Sequence, residues 1–504
     1  MKLSKLVKGT ENAVLVHFAD HSIRGIALDS RRVRPGALFA VVPGRHCDGR
    51  RFVPHAVARG AVAVLSDQKL EVPDDVTLIL VPDVRVALAD LCCRFHGYPA
   101  DHVRTVGVTG TNGKTTVATL SRSILATAGK QPALLSTCMH QIGSRCIEAS
   151  NTTPESVALQ RFFAEMVERG IGHAVMEVSS HSLAEHRVRG IPFEVAAFTN
   201  ITEHEHLDYH GSFAAYRRAK ARLFESLGPK ATAVLNHDDE EFSFFLNRAR
   251  QATVMTYGLR PGADVTARVE ALGLGGMTLT LHTPMGQARV RSPLVGRYNV
   301  LNLLAGACIG LALGLELGTV ARGIERFTGA PGRLERVEAG QDFAVLVDYA
   351  HNADGLRSVL GTLRELTGEE RRLIVVFGAG GDRDRTKRPL MGQAAAELAD
   401  VVVLTADNSR SEATEAIIGE IERGFDHGAP PHVEPNRREA IRKALEMARP
   451  GDVVVIAGKG HETYQDLGGV RHRFDDREET RRVLLHLATR HRPFRRRVAV
   501  GGIS

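Results

Sequence analysis

The 504-residue sequence lacks any apolar stretch long enough for a membrane helix. Apolar segments such as Val401–Leu404 and Val453–Ile456 have the length of a buried strand, whereas a transmembrane helix needs about 20 apolar residues. The segment Met1–Thr10 carries lysines, but the apolar core of a signal peptide does not follow it. We therefore expect no membrane span and a cytoplasmic location.

Cysteine is scarce and scattered. The cysteines have neither the spacing of a zinc site nor the density of a disulfide framework, so we expect unpaired thiols in a reducing compartment. They stand at Cys47, Cys92, Cys93, Cys138, Cys146 and Cys308.

Recognisable nucleic-acid-binding motifs are also missing. The sequence contains no zinc finger, helix-turn-helix or RNP-like aromatic motif. The formal net charge of +7 therefore suits anionic small substrates, and the basic run Arg490–Arg497 is interpreted as a solvated chain end. We expect no nucleic-acid partner.

Strand-like and helix-like segments alternate along most of the chain, which predicts an α/β fold. Val103–Gly110 is a predicted strand that leads through a glycine turn into a helix over Lys114–Ala128. Further buried parallel strands are predicted at Ala174–Val178, Val195–Phe198, Ala233–Leu235, Ala344–Val347, Leu373–Phe377, Val401–Leu404 and Val453–Ile456. Short runs over 265–290, broken by Gly and Pro, predict antiparallel hairpins. The usual domain size predicts about three domains, with bounds 1–100, 101–332 and 333–490, followed by a basic tail, 491–504.

A phosphate loop lies between the strand at Val103–Gly110 and the helix after it. Residues Thr109–Thr116 read Thr-Gly-Thr-Asn-Gly-Lys-Thr-Thr. Glycines let backbone N–H groups turn toward phosphate oxygens, and the helix N-terminus adds a favourable dipole. Lys114 can reach the β and γ phosphates, and the Thr115 hydroxyl suits Mg²⁺. Val108 stands where the usual pattern has its first glycine, but the strand–loop–helix context predicts nucleotide binding.

Possible metal ligands follow two later strands. Glu177 ends an apolar strand, and a carboxylate there, near a phosphate loop, is a sensible Mg²⁺ ligand. The loop Thr199–Gly211 is rich in histidine, which by itself would suggest zinc. No second cluster completes tetrahedral spacing.

The phosphate loop and the motifs after it resemble the Mur ligase superfamily, which also contains folylpolyglutamate and cyanophycin synthetases. The resemblance covers about residues 20–480, and its motifs occur in the order 109–116, 200–211, 216–224, 296–302, 330–335 and 347–352. It implies a central P-loop mononucleotide-binding parallel sheet and a C-terminal Rossmann-like domain. It also implies an ATP-dependent ligase that forms amide bonds through an acyl phosphate.

The resemblance implies roles at the nucleotide and metal site. Lys220 matches a lysine that CO₂ carbamylates, which would turn a cation into an anionic ligand for a second Mg²⁺. The implied catalytic residues are Lys114, Glu177, His206 and Lys220, with His204 as a second candidate for the histidine. The implied metal ligands are Thr115, Glu177, His206 and Lys220 as carbamate. The implied ATP-binding residues are Gly110, Thr111, Asn112, Gly113, Lys114, Thr115, Thr116, Asn299 (adenine), Arg333 (phosphates) and Asp348 (ribose).

Within the superfamily, the chain is most similar to the UDP-N-acetylmuramoyl-L-alanyl-D-glutamate ligases, which add the third amino acid of the peptidoglycan precursor. Two departures stand out: Arg45–Cys47 replaces the usual His-Gln-Ala, and Glu185 stands where glutamine is common. The implied ligands of the UDP-sugar substrate are Leu28, Ser30, Arg45, His46, Cys47, Asn151, Thr152, Thr153, Ser179, Glu185 and Arg187.

The acceptor amino acid is inferred from the C-terminal segment. Asp407–Arg410 resembles the Asp-Asn-Pro-Arg signature of members that add meso-diaminopimelate, with Ser409 replacing proline. An arginine can bind the distal carboxylate bidentately, and Glu462 can hold the distal ammonium. The implied acceptor ligands are Arg383, Asp407, Asn408, Ser409, Arg410, Gly458 and Glu462. L-lysine or another diamino acid stays open as the acceptor, as does amide ligation in another pathway.

The expected ligands are thus ATP, Mg²⁺, a UDP-N-acetylmuramoyl-dipeptide and a diamino acid, bound by a monomer. A contrasting interpretation is a nucleotide-binding switch without enzymatic activity, or a nucleic-acid partner, which only the basic charge and the tail favour. The joint presence of Lys114, Glu177, His206 and Lys220 argues for the enzyme.

Overall fold

The computed structural model describes residues 1–42, 44, 48–203, 205–368, 370–425 and 429–490, with the backbone alone at 489–490. Arg45, His46, Cys47, His204 and the tail 491–504 lie outside the described residues. In the described part of the chain, the helices are too short or too polar to cross a membrane.

The N-terminal segment forms a five-stranded sheet. Its elements are α1 (Leu3–Val7), β1 (Val14–Val16), β2 (Gly25–Ala27), β3 (Ala37–Ala40), α2 (Val53–Ala58), β4 (Ala61–Ser66), β5 (Thr77–Leu80) and α3 (Val84–His96). The strand order is β1-β5-β4-β3-β2, parallel except for β1. The carboxylate of Asp83 caps α3 by accepting hydrogen bonds from two backbone N–H groups of its first turn.

The central segment builds an eight-stranded sheet. Its elements are β6 (Arg104–Thr109), α4 (Lys114–Thr127), β7 (Ala133–Leu135), β8 (His140–Ile142), β9 (Arg145–Ile147), α5 (Ser156–Glu168), β10 (His173–Glu177), α6 (Ser180–Ala184), β11 (Phe193–Phe198), α7 (Leu207–His210), α8 (Phe213–Glu225), β12 (Thr232–Asn236), α9 (Phe242–Leu246) and β13 (Thr253–Tyr257). The order is β13-β12-β11-β6-β10-β7-β8-β9, parallel from β13 to β7. Strand β6 thus lies between β10 and β11, so that Val108 is paired with Glu177 and Thr109 with Phe198. The phosphate loop, Glu177 and Thr199 therefore meet at one carboxyl edge, where parallel sheets bind ligands.

A small three-stranded sheet and two helices follow. They are β14 (Thr266–Gly273), β15 (Gly276–Thr283), β16 (Gly286–Ser292), α10 (Tyr298–Ala312) and α11 (Leu317–Arg326). The strands pair in chain order through short connections, as the predicted hairpins require.

The C-terminal segment forms a six-stranded sheet and a two-stranded ribbon. Its elements are β17 (Glu335–Arg336), β18 (Ala344–Asp348), α12 (Ala353–Thr367), β19 (Leu373–Phe377), α13 (Lys387–Leu398), β20 (Val401–Leu404), α14 (Thr414–Glu422), β21 (His432–Val433), α15 (Arg437–Met447), β22 (Val453–Ala457), β23 (Tyr464–Leu467), β24 (Val470–Arg473) and α16 (Asp476–Arg490). The order is β17-β18-β22-β19-β20-β21, parallel except for β17. Strands β19 and β22 are buried at every position, which is why they read as unbroken apolar runs.

The chain divides into two compact units. The first contains Met1–Arg268, Leu279–Val290 and Val300–Phe327. The second contains Val269–Thr278, Arg291–Asn299 and the chain from Thr328 onward. The first unit holds the N-terminal and central sheets, and the second holds the C-terminal sheet, so the predicted α/β fold is confirmed.

Candidate active site

The phosphate loop depends on two glycines in backbone conformations that other residues rarely adopt. Gly110 has φ +151° and Gly113 has φ +84°, the latter capping α4. A Cβ on Gly110 would lie 1.8 Å from Thr199 Oγ1, and one on Gly113 would lie 2.4 Å from Asn302 Oδ1. The loop is therefore packed against its surroundings with backbone N–H groups at a helix N-terminus, the arrangement that binds phosphate.

Residues after β11 hold this loop in place. The backbone N–H of Thr111 donates to Asn200 O at 2.7 Å, and that of Asn112 donates to Asn200 Oδ1 at 2.9 Å. Thr199 Oγ1 donates to Asn112 O at 2.6 Å. We did not assign Thr199 and Asn200 from the sequence, although their position after a parallel strand is a usable signal.

Lys114 and Lys220 converge on one carbonyl oxygen. Lys114 Nζ lies 2.9 Å from Gly110 O and 2.8 Å from Thr111 O. Lys220 Nζ, carried by α8, lies 2.7 Å from the same Gly110 O. Lys114 thus supplies a positive charge at the phosphate loop, which favours an anionic ligand such as a phosphate chain.

Lys220 is fully enclosed. Its side chain is 1% exposed, and Nζ lies 4.6 Å from the ring centroid of Tyr216. Burial, followed by the charge of Lys114, lowers the pKa of Lys220 well below its ordinary value. A lysine in its neutral form is a nucleophile, so this amine is suited to reaction with CO₂.

Glu177 is buried at the end of β10 and held in a defined orientation. The Thr137 backbone N–H donates to Glu177 Oε1 at 2.8 Å, and Thr137 Oγ1 donates to Glu177 Oε2 at 3.1 Å. Thr137, which the sequence did not suggest, in turn donates from Oγ1 to Thr152 Oγ1 at 3.0 Å. This network orients a carboxylate beside the phosphate loop.

His206 has an unusual backbone and a neutral ring. His206 immediately precedes α7, and its φ of +57° lies in the left-handed region. Its ring lies 4.9 Å from that of His181 and 5.7 Å from that of Tyr216, measured between centroids. Burial is the largest cause that lowers the pKa of His206 to about 3. A neutral imidazole can ligate a metal.

The donor set fits magnesium. Thr115 is buried at the start of α4 and supplies a hydroxyl, while Glu177 supplies a carboxylate. Among the described residues, no three His, Cys, Asp or Glu side chains cluster as a metal cage. Mg²⁺ suits such a site because it takes few protein ligands and shares phosphate oxygens and water.

Several residues of the predicted UDP-sugar site lie in the part of the chain that the structure describes. Ser30 is buried after β2, and its Oγ is 2.9 Å from His55 Nδ1, while Leu28 packs partly buried on the sheet core. Asn151 is exposed and Thr152 half-buried. Thr153 Oγ1 donates to Glu177 O at 2.8 Å and accepts from Ser179 N at 3.0 Å. The loop of Asn151–Thr153 is thereby joined to the end of β10.

Arg187 is engaged by two carboxylates and a carbonyl. It donates to Glu185 Oε2 at 2.7 Å and to Thr153 O at 3.0 Å, and lies 2.9 Å from Glu155 Oε1. Arg85 of α3 adds a contact to Glu185 at 3.2 Å. Burial would raise the pKa of Glu185, but the two arginines outweigh it and hold the pKa below its usual value. The charge of Glu185 is thus balanced within the protein.

Three predicted ATP residues belong to the second unit. Asp348 ends β18 and accepts hydrogen bonds from Leu334 N at 2.7 Å and Ala350 N at 2.8 Å. Burial raises the pKa of Asp348, and Arg333 opposes that rise. The Arg333 guanidinium lies 4.8 Å from the ring centroid of Tyr349. Asn299 donates from Nδ2 to Val295 O at 2.7 Å at the start of α10.

The loops after β20 and β22 meet around a buried lysine. Lys459 Nζ lies 3.0 Å from Asn408 Oδ1 and 2.9 Å from Glu462 Oε2. Asn408 Nδ2 also donates to Glu462 Oε2, at 2.8 Å. Two predicted acceptor residues are thus brought together by Lys459, which the sequence reasoning did not single out.

The remaining predicted acceptor residues surround this cluster. Arg410 has φ +51° and donates from Nη1 to Gly381 O, and its neighbour Ser409 lies 2.6 Å from Thr414, oxygen to oxygen. Proline could not make that last contact. Arg383 is exposed in the loop after β19. Gly458 has φ +114°, and a Cβ there would lie 2.5 Å from Asp407 Oδ2.

These features describe an α/β protein in which two lysines and an oriented carboxylate lie at a glycine-containing loop between a parallel strand and a helix. Three family models match the chain: "Mur ligase family, catalytic domain" at 22–96, "Mur ligase middle domain" at 108–310 and "Mur ligase, glutamate ligase domain" at 332–460. The chain belongs to the Mur ligase family. Its predicted class, an ATP-dependent ligase that forms amide bonds, is confirmed by that membership.

Similar proteins match over nearly the whole chain. The UDP-N-acetylmuramoyl-L-alanyl-D-glutamate--2,6-diaminopimelate ligase of Bacillus licheniformis is 45% identical, covering 97% of this chain and 100% of the relative. The ligase of the same name from Geobacillus kaustophilus is 45% identical, covering 95% and 99%. A solved structure of a ligase of that name superposes with a TM-score of 0.66 at 37% identity, covering 93% and 96%.

Proposed function

We propose that this chain joins meso-diaminopimelate to UDP-N-acetylmuramoyl-L-alanyl-D-glutamate at the expense of ATP, a step in peptidoglycan precursor synthesis. The observation that carries the proposal is the convergence of Lys114 and Lys220 on Gly110 O, beside the oriented carboxylate of Glu177. The names of relatives that are 45% identical over 95% or more of this chain support the same substrate and acceptor.

The reaction has two chemical steps. A carboxylate oxygen of the D-glutamate side chain attacks the γ-phosphorus of ATP, so that ADP leaves and an acyl phosphate forms. The amine of the acceptor, after losing a proton, attacks the acyl carbon, and the tetrahedral intermediate expels phosphate to leave the amide. Lys114 and the backbone N–H groups of the phosphate loop stabilise charge on the transferring phosphoryl group.

Mg²⁺ would be held by Thr115, Glu177, His206 and a carbamate on Lys220. These residues would hold two Mg²⁺ ions, the carbamate serving the second, and the bound ions would neutralise charge on the phosphate oxygens. The chain's own contribution is geometric: Thr137 orients Glu177, and Gly113 places the start of α4 against the phosphates.

The other assignments extend the proposal. Ser30, Thr153, Ser179 and Arg187 are proposed to bind the UDP-sugar peptide, and Arg383, Asn408, Arg410 and Glu462 the acceptor. The bounds 1–100, 101–332 and 333–490 are proposed as substrate, ATP and acceptor domains. The cytoplasmic location and the monomeric state stay predictions.

The test is ADP release by the purified chain. We expect ADP only when ATP, Mg²⁺, the UDP-muramoyl dipeptide and diaminopimelate are all present, with a stoichiometric amide product. ADP release that is independent of the dipeptide would contradict the proposal. An amine panel containing L-lysine and other diamino acids tests the acceptor, because Glu185 and Ser409 depart from the family pattern.

A further inference from the structure

An ion pair between a buried arginine and a partly exposed glutamate joins the loop after β19 to the loop after β20. Arg388, in the first turn of α13, is 1% exposed. Its Nη1 donates to Glu412 Oε2 at 2.9 Å, and its Nη2 donates to Glu412 Oε1 at 2.8 Å. A two-point pair of this kind fixes orientation as well as distance. We call it the 388–412 pair.

Each partner of the 388–412 pair also contacts the backbone of the loop after β19. Glu412 Oε1 accepts from Asp382 N at 2.6 Å, and Arg388 Nη2 donates to Gly380 O at 3.2 Å. Glu420 of α14 accepts a further bond from Arg388 Nη1 at 2.7 Å, which anchors the guanidinium from the helix side. The pair thus ties both loops to the two helices that follow them.

The two loops carry the proposed acceptor ligands and touch one another directly. Arg383 lies in the first loop and Arg410 in the second. Gly381 N donates to Asn408 O at 2.9 Å, and Arg410 Nη1 donates to Gly381 O. A Cβ on Gly381 would lie 1.9 Å from Ser409 O, so the two loops are in close contact at this point. A shift of either loop therefore moves both arginines.

We propose that Arg388 and Glu412 are positioning residues for the acceptor amino acid and act through Arg383 and Arg410. A buried ion pair is not needed for stability as such, since well-packed apolar groups often replace one at little cost. What the 388–412 pair supplies is a fixed spacing of two guanidinium groups that must meet one small ligand. This inference rests on the proposed function, because it assumes that these loops bind the acceptor.

The first test compares Michaelis constants for all three substrates. Glu412→Gln keeps the shape of the side chain, and Arg388→Lys keeps the charge but loses the two-point geometry. We expect each to raise the KM for diaminopimelate about tenfold or more, since a misplacement of about 1 Å can cost on the order of a hundredfold in rate. The KM values for ATP and the UDP-muramoyl dipeptide should change less than about twofold. Arg357→Ala, which breaks the exposed pair with Glu397 on α12 and α13, is the matched control and should change none of them.

A double-mutant cycle separates positioning from damage to the fold. In a background that carries both Arg383→Ala and Arg410→Ala, Arg388→Lys should raise the diaminopimelate KM by less than about threefold, because both groups through which it acts are already gone. The inference is overturned by equal rises in all three KM values, by a fall in kcat alone that matches a loss of folded enzyme, or by full additivity in the cycle. If Arg388→Lys does not fold, Glu412→Gln takes its place in the same cycle.

The failure of the inference can be told from that of the proposed function. The wild type is first assayed with each amine, and the variants are then measured with the amine that the wild type uses. A wild type that prefers L-lysine contradicts the proposed acceptor, while the same variants still decide whether the 388–412 pair positions it.

Discussion

Replacing Lys220 should abolish most turnover while leaving the phosphate loop folded. Lys220→Met keeps the length of the buried side chain but removes the amine that CO₂ would carbamylate. Gly110 O keeps a donor in the variant, because Lys114 Nζ still lies 2.9 Å away. The substitution also removes one of two amines that share this carbonyl. We therefore expect the loop to tolerate the change.

The loss should fall on kcat. A carbamate on Lys220 would place an anionic oxygen ligand for Mg²⁺ next to the phosphoryl group, where charge builds up in the transition state. Loss of one preorganised group of this kind costs about a hundred- to a thousandfold in kcat. Lys220→Ala should lose as much, but its cavity gives short carboxylates such as formate or acetate room to replace part of the carbamate.

The assay is steady-state ADP release with all substrates saturating, with and without added carboxylate, beside thermal unfolding of each variant. Lys230→Ala, an exposed lysine after α8, is the control and should leave kcat unchanged. Recovery of part of kcat in Lys220→Ala but not in Lys220→Met would support the carbamate. Full activity in either variant without an additive would refute the reasoning.

Three further predictions follow from the described contacts. Arg410→Ala should raise the KM for diaminopimelate on the order of a hundredfold with little change for ATP, because a guanidinium–carboxylate pair in a closed site is worth several kcal/mol; steady-state kinetics checks this. Gly113→Ala should weaken ATP binding, measured by calorimetry, by about tenfold or more, since its Cβ would lie 2.4 Å from Asn302 Oδ1. Gly129→Ala is the control, because Gly129 also has a positive φ, +76°, but has no atom near its Cβ position, and it should leave ATP binding unchanged. The hydrogen bond from Arg388 lowers the pKa of Glu412 from 4.5 to about 2. The wild type should therefore have a larger free energy of unfolding than Glu412→Gln above pH 4.5, and this difference should be lost as the pH falls toward 2. Urea unfolding across that range should show the two proteins converging at low pH, and a constant difference would contradict the assigned cause.

The parallel strands were predictable because they are buried on both faces. Leu373–Phe377 and Val401–Leu404 were predicted with the bounds that the structure gives to β19 and β20. The helix predicted at Lys114–Ala128 ends one residue earlier, at Thr127. Short strands at or next to a sheet edge, such as β8, β9 and β21, were missed, because two or three residues carry no periodic signal.

The site was predictable where a motif carries the chemistry and not where the fold supplies it. The glycines and Lys114 follow from the phosphate-loop pattern, and Glu177 from its place at the end of a strand. Thr137 and Lys459 could not be foreseen, because each acts on a residue distant in the chain: Glu177 lies 40 positions from Thr137, and Asn408 lies 51 from Lys459. These side-chain contacts depend on which strands are neighbours in the sheet, and the order of strands in a sheet cannot be predicted from local sequence patterns.

The most direct test of the central claim is the wild-type kcat/KM for meso-diaminopimelate against that for L-lysine, measured by ADP release with the UDP-muramoyl dipeptide. The two amines differ by the distal carboxylate that Arg410 and Arg383 are proposed to bind. The account predicts that kcat/KM is about a hundredfold or more higher for diaminopimelate, because one guanidinium–carboxylate pair in a closed site contributes several kcal/mol. An equal or greater kcat/KM for L-lysine would contradict the proposed acceptor and the roles given to both arginines.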